Sequence, residues 1–293
     1  MSSTSATIPT NRLVDIVPGV IAASSFAIGN VLSKLALIDG ADVLTLSVFR
    51  GVVGTILMLL WLRLGPPRQQ HTPRARLISL GLGVLFAGVV FGLFAAIARM
   101  AVPVALLSYF VYPFVTGLIG ALLGIERVSW RGLAAALVAF IGLGLTIGAN
   151  PEGIVLSGLA FAVMAAGCRT AILLITRSKL QEFDPQVTTW YTLASSTAVL
   201  GLIALATWNW QPPTTAGGWT AMGGVSIATT IGILAFFVSI KRIGPFRSAL
   251  VMNLEPLFST ILSAPILGEV ITPLQGLGGA IMLAALVAFQ LRR

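Results

Sequence analysis

The stretch ALVMNLEPLFSTILSAPILGE, residues 249–269, decides the fold. Glu255 stands directly before Pro256 inside a run of mostly apolar residues. In a soluble core this pair would bury a charge and break a helix. In a bilayer each is dearer still, because hydrocarbon offers no partner to a carboxylate or to a backbone carbonyl freed by proline. The pair therefore belongs to a soluble fold under strain or to a membrane protein with a polar interior.

Composition decides between them. Of 293 residues, 57% are hydrophobic and only 9% charged, with 31 glycines, far from the averages of soluble domains. Apolar runs near 15–38, 43–64, 77–98, 102–124, 130–149, 153–176, 186–207, 218–240, 247–267 and 273–291 predict an all-α membrane protein. Each run is near the ~20 residues that a helical crossing needs. The loops include GPPRQQHTPRAR (65–76), GANPEG (148–153), TRSKLQEFDP (176–185) and WNWQPPTTAGG (208–218). The first fifteen residues are polar and weakly basic, and the run that follows is too long for a signal-peptide core, so it reads as a retained helix.

The net charge of +9 would suggest nucleic acid in a soluble chain, but here the basic residues lie between apolar runs. Arg12, Arg63, Arg68, Arg74, Arg76, Arg127, Arg131, Arg177, Lys179, Lys241, Arg242, Arg247, Arg292 and Arg293 fall on one side. Asp39, Asp42, Glu152 and Glu269 chiefly mark the other, with Lys34 and Arg99 near helix ends, so the positive-inside rule predicts a multi-pass protein with both termini cytoplasmic. Trp61, Trp130, Trp208, Trp210 and Trp219 lie near span ends, as interfacial aromatics do. Cys168, the only cysteine, excludes an intrachain disulfide.

An internal repeat follows from the opening stretch. Residues 106–129, LLSYFVYPFVTGLIGALLGIERVS, align with residues 249–272, ALVMNLEPLFSTILSAPILGEVIT. Pro113 pairs with Pro256 and Glu126 with Glu269, an offset of half the chain. Five spans in each half, an odd number, would insert the halves in opposite orientation. The expected domains are a first repeat at 1–150 and a second, inverted repeat at 151–293, enclosing a central cavity, a plan common among secondary transporters.

The paired P…GE pattern, YPFVTGLIGALLGIERVS and EPLFSTILSAPILGEVIT, resembles the EamA repeats of the drug/metabolite transporter superfamily. Within it the chain is similar to YddG-type bacterial exporters of aromatic and other amino acids. The resemblance covers essentially the whole chain and implies a carrier of the bacterial inner membrane, with the fourth and ninth spans packed together around a central cavity. Two departures stand out. Tyr112 replaces Glu255 in the first copy, and LLGIE carries a residue that ILGE lacks. The glutamates at the helix ends read as a structural signature of the family rather than as catalytic groups.

Glu255, Arg50 and Arg169 are the charges that fall well inside spans, away from their ends. Glu255 is either a substrate or proton ligand, or a structural carboxyl bonded to backbone that Pro256 leaves free. Each arginine must face a wet cavity, pair with an acid or snorkel. An amino acid needs both signs and apolar walls. Arg50, Arg169 and Glu255 supply the signs, Tyr109 and Tyr112 the walls, and Asn253 a polar contact. Trp190 and Tyr191 are alternative walls or plain interface residues. Asn30, Ser108, Thr116, Ser259 and Thr260 can line the cavity or bond between helices. Pro113 and Pro256 are hinges or fixed bends. Gly88 with Gly92, Gly120 with Gly124 and Gly144 with Gly148 permit close helix contact, for which packing within one chain is the simpler explanation and a monomer the simpler expectation.

Other classes fit poorly. His71 is a lone histidine in a loop and Cys168 has no histidine beside it, so neither a metal site nor a nucleophile with its base is spelled out, and an enzyme is not expected. No GxxxxGK[ST] motif occurs, so energy must come from gradients rather than ATP. No cofactor is expected, and the partners are the bilayer and a small solute, not nucleic acid. Other metabolites or lipophilic drugs are the alternative cargo.

Overall fold

A computed structural model describes residues 12–97, 99, 105, 108–126, 129–147, 155–208, 210–267 and 272–291. They form α1 (Arg12–Ile38), α2 (Val43–Leu64), α3 (Pro73–Ile97), α4 (Tyr112–Leu122), α5 (Trp130–Ile147), α6 (Leu156–Lys179), α7 (Pro185–Thr207), α8 (Ala216–Ile243), α9 (Pro245–Met252), α10 (Leu254–Leu267) and α11 (Pro273–Leu291). Among the described residues there is no strand. Among the described residues seven segments are long and apolar enough to cross a membrane, α9 and α10 forming one of them. Tyr112–Leu122, Trp130–Leu145 and Pro273–Ala285 are apolar but shorter, and residues outside the described set flank the helices that contain them. Outward-facing Ile56, Leu118, Leu137, Val163 and Ile227 are exposed, an apolar exterior suited to lipid.

The helix starts obey local chemistry. Asp42 caps α2, its carboxylate accepting from Leu44 N at 2.7 Å and Thr45 N at 3.1 Å. Asp184 caps α7 ahead of Pro185, and Thr215 caps α8. Asp42 also accepts from Gln211 N at 2.9 Å, and Asp39 from Thr215 N at 2.8 Å, so both acids clamp the 210–215 loop onto the α1–α2 turn. The Thr215 backbone bond, with further bonds from Thr214 and Thr215, holds the Asp39 carboxyl below the usual carboxylate range. Burial pushes Asp42 up, but bonds from Thr45, Gln211 and Leu44 outweigh it and the carboxyl again lies low. Both acids are structural. Glu152 and Glu269 lie outside the described residues.

The run at 247–267 is not one helix. It divides at Asn253, where the backbone N–H turns back to Leu250 O and Val251 O. Pro256 cannot donate to the carbonyl of Met252 and its ring would clash there, so α9 ends and α10 begins afresh. The turn at Phe110–Val111 stands in the same relation to Pro113. Glu255 consequently sits in the first turn of α10, where the positive end of the helix dipole favours a carboxylate.

Glu126 accepts from Phe246 N at 2.9 Å, at the start of α9. One half of the chain thus caps a helix of the other, which gives the Glu126 of the repeated motif a structural task. Burial pushes this carboxyl up, against the bond from Phe246 and the charges of Arg177 and Arg247.

Packing pairs the two halves throughout. Helix α1 runs along α8 and α3 along α6, while α2 meets α7 and α5 meets α11. Likewise α1 touches α9 and α10, as α6 touches α4. Exchanging α1–α5 with α6–α11 maps this pattern onto itself. Glycines permit the close approaches. A Cβ on Gly83 would lie 2.5 Å from Thr192 O, and one on Gly92 2.8 Å from Phe161 O. Gly88 and Gly92 both face α6, which accounts for that pair within one chain.

The basic residues gather at the end opposite Asp39. Arg68 pairs with Asp184 at 3.8 Å, and Lys241 Nζ donates to Phe183 O at 3.1 Å. His71 is not a solvated loop residue but is 2% exposed, its Nε2 2.9 Å from Thr188 Oγ1 and its ring against Phe183 and Tyr191. Burial pulls its pKa down, aided by Arg76 and opposed by Asp184 and a bond to Gln69. The unfolded chain therefore binds the proton more readily. Stability is full above the unfolded value of about 6.5 and is lost as pH falls through it toward the lower folded value, by up to ~1.4 kcal/mol per pH unit. Thermal unfolding in detergent should show a drop from pH 7.5 to 5.5 that His71→Gln flattens. An identical drop in the variant would refute this role.

Candidate functional site

The site assembles around the guanidinium of Arg169 in the middle of α6. Its Cζ lies 3.9 Å from the ring centroid of Phe236 on α8, 5.7 Å from that of Phe26 on α1 and 5.8 Å from that of Tyr112 on α4. Arginine stacks on aromatic faces because its planar, weakly hydrated cation meets their negative quadrupole. At 4% exposure it does not snorkel. The charges of Arg169 and Glu255 act on each other, and Asn30 Nδ2 on α1 donates to Glu255 Oε1 at 2.9 Å. Asn30 is exposed and Glu255 half-buried.

Tyr109 and Tyr112 are buried with ring centroids 5.3 Å apart, and Tyr112 Oη donates to Ala249 O at 3.4 Å. Thr170 Oγ1 donates to Tyr112 O at 3.4 Å and lies 3.2 Å from Thr116 Oγ1, tying α4 to α6. Asn253 is buried at the α9–α10 break. Its Oδ1, with Arg169 Nε and Ser259 Oγ, has no hydrogen-bond partner. An orphaned buried polar atom costs about 1–3 kcal/mol, which a bound polar molecule can recover.

The repeat offset organises the cluster. Pro113 and Pro256 are 143 residues apart, and the same shift carries Tyr112 to Glu255 and Phe26 to Arg169. All four side chains converge. Equivalent positions in the two halves thus face one another, with both charges supplied by the second half and aromatic groups by the first. Phe26 and Phe236 were not among the residues singled out by sequence. The offset applied to Arg169 would have found Phe26, whereas nothing local marks Phe236.

Arg50 lies apart from this cluster, half-buried in a small open recess with Ser47, Phe86, Ser196, Thr197 and Thr229. Trp190 and Tyr191 do not join the cluster as walls. Their rings contact each other at 4.8 Å, and Tyr191 faces His71 at the basic end. Thr260 returns its hydroxyl to Pro256 O at 2.9 Å. Arg99 stacks on Phe161 at 4.6 Å, near the helix end where sequence placed it.

Comparison with known proteins adds to this geometry. The EamA-like transporter family matches twice, over residues 16–148 and 156–289. The chain is 26% identical over 256 residues to an uncharacterized transporter of Archaeoglobus fulgidus, covering 83% of this chain and 90% of that protein. It also resembles a protein of known crystal structure, with a TM-score of 0.75 over 92% of this chain and 96% of the other. At 19% identity that likeness concerns the fold.

Proposed function

Because the chain belongs to the EamA-like transporter family, it is a multi-pass membrane transporter and not an enzyme, and we propose that it exports amino acids, aromatic ones included, and related small metabolites. The reading rests on one observation. A carboxylate and a guanidinium, Glu255 and Arg169, act on each other among Tyr109, Tyr112, Phe26 and Phe236 where the two halves meet. An amino acid presents the complementary pair of charges on a body that such walls accept. Its ammonium goes to Glu255 and Asn253 Oδ1, and its carboxylate to Arg169.

The transport cycle is alternating access between two inverted halves, 1–150 and 151–293, around this site. The breaks before Pro113 and Pro256 serve as hinges, because a turn without continuous i to i−4 bonds bends at less cost than a helix. The positive-inside rule puts the basic end and both termini in the cytoplasm of a bacterial inner membrane. The protein works as a monomer and without cofactor, and it has no nucleic-acid partner.

Proteoliposomes preloaded with unlabelled amino acid should take up labelled leucine, phenylalanine and other members of a panel by saturable exchange that empty vesicles lack. No exchange of any amino acid by folded protein would overturn this function and favour other metabolites or lipophilic drugs.

A further inference from the structure

The Arg50 recess has a chemistry that the amino-acid reading does not use. Arg50 stands seven residues into α2 from Val43, and Asn30 eight residues before the end of α1 at Ile38. At 1.5 Å per residue both lie about 11 Å inside the same end of the bundle. Within the bilayer a guanidinium is normally paired with an acid or a ring of carbonyls. Among the described residues Arg50 has neither a hydrogen-bond partner nor a charge acting on it; burial alone perturbs it. Four hydroxyls ring it, those of Ser47, Ser196, Thr197 and Thr229. Thr229 donates to Val225 O and Thr197 lies 3.5 Å from Thr55, which leaves Ser47 and Ser196 to donate into the recess.

One face of α8 joins this recess to the aromatic cluster. Thr229 lines the recess, Gly232 lies against Phe26, and Phe236 stacks on Arg169. Positions i, i+3 and i+7 share a helix face. The two positions that meet these groups, Thr229 and Phe236, are therefore about 10 Å apart along α8, seven residues at 1.5 Å each. Arg50 and Arg169 outnumber Glu255, so these three side chains together carry an excess of one positive charge whenever Glu255 is ionised.

We propose that the recess is a carboxylate subsite, and that among amino acids the carrier prefers those with a second carboxylate, net charge −1. Its ammonium takes Glu255, one carboxylate takes Arg169, and the other takes Arg50 with Ser47 and Ser196. Arg50 then gains the oxyanion it lacks, Arg169 gains a further one, and the solute's three charges match those of the three side chains. The inference deepens the amino-acid carrier reading and rests on it.

L-Glutamate and L-glutamine differ only in the charge of the second group, so the test uses that pair. In counterflow of labelled L-glutamate into proteoliposomes, unlabelled glutamate should compete at least about tenfold better than glutamine, the equivalent of one hydrogen bond to a charged group. Arg50→Gln should erase that preference while glutamine is still exchanged, and Arg50→Lys should keep most of it. The lysine variant and the wild-type comparison hold even where Arg50→Gln fails to fold. Exchange of leucine or glutamine with no competition by glutamate overturns the subsite and leaves the amino-acid carrier standing. A glutamate preference that persists undiminished in Arg50→Gln overturns it as well. Exchange of succinate, with no amino acid exchanged, supports the anion subsite and overturns the amino-acid reading.

Discussion

In Glu255→Gln, amino-acid exchange is expected to fall about a hundredfold or more while the protein still folds, because truncating one partner of a buried charge contact costs roughly 2–5 kcal/mol. The glutamine keeps an oxygen to accept from Asn30 Nδ2, which reaches Glu255 Oε1 at 2.9 Å in the wild type. It removes only the negative charge that an ammonium would meet. Initial rates in proteoliposomes, alongside size-exclusion profiles of the same preparation, separate the two effects. Exchange at the wild-type rate would mean that Glu255 is a structural carboxyl at the start of α10 and not part of the transport site.

Arg169→Met should lower thermal stability more than any neutral change of the cluster. It removes the cation stacked 3.9 Å from the Phe236 ring and leaves Glu255 without the charge acting on it. Breaking a buried charge pair from one side costs about 3–5 kcal/mol, whereas replacing both partners costs far less. The double variant Arg169→Met with Glu255→Gln should therefore unfold closer to the wild type than the single variant does. Scanning fluorimetry in detergent measures all four corners of that cycle. Additive effects would show that the two charges do not support each other. Transport should be lost in both variants, since no cation then remains among Phe26, Tyr112 and Phe236 to hold a carboxylate.

The Asn253 break shows how local rules and assembly divide the work. Proline at 256 ends a helix for a reason contained in its own ring, so a disturbance of the ninth run was legible in the sequence. That Glu255 would open a new helix, rather than continue one, follows only once the turn is placed at Asn253. The same holds for His71, which reads as a lone loop histidine until the loop folds back on α7 and buries it against Phe183.

The sequence by itself determined the solvent, the helical class and the family. Those depend on totals and on periodic apolar runs, and on a motif repeated at an offset of half the chain. It also singled out Glu255, Arg50 and Arg169, since a charge in hydrocarbon advertises its own exceptional cost. Tertiary structure alone decided their company. Phe26, Phe236 and Tyr112 meet Arg169 from three other helices, and Tyr191 turns away to His71. Such contacts join residues 57 to 143 positions apart, and they are set by how helices pack across the bundle, to which the local pattern of each helix is blind.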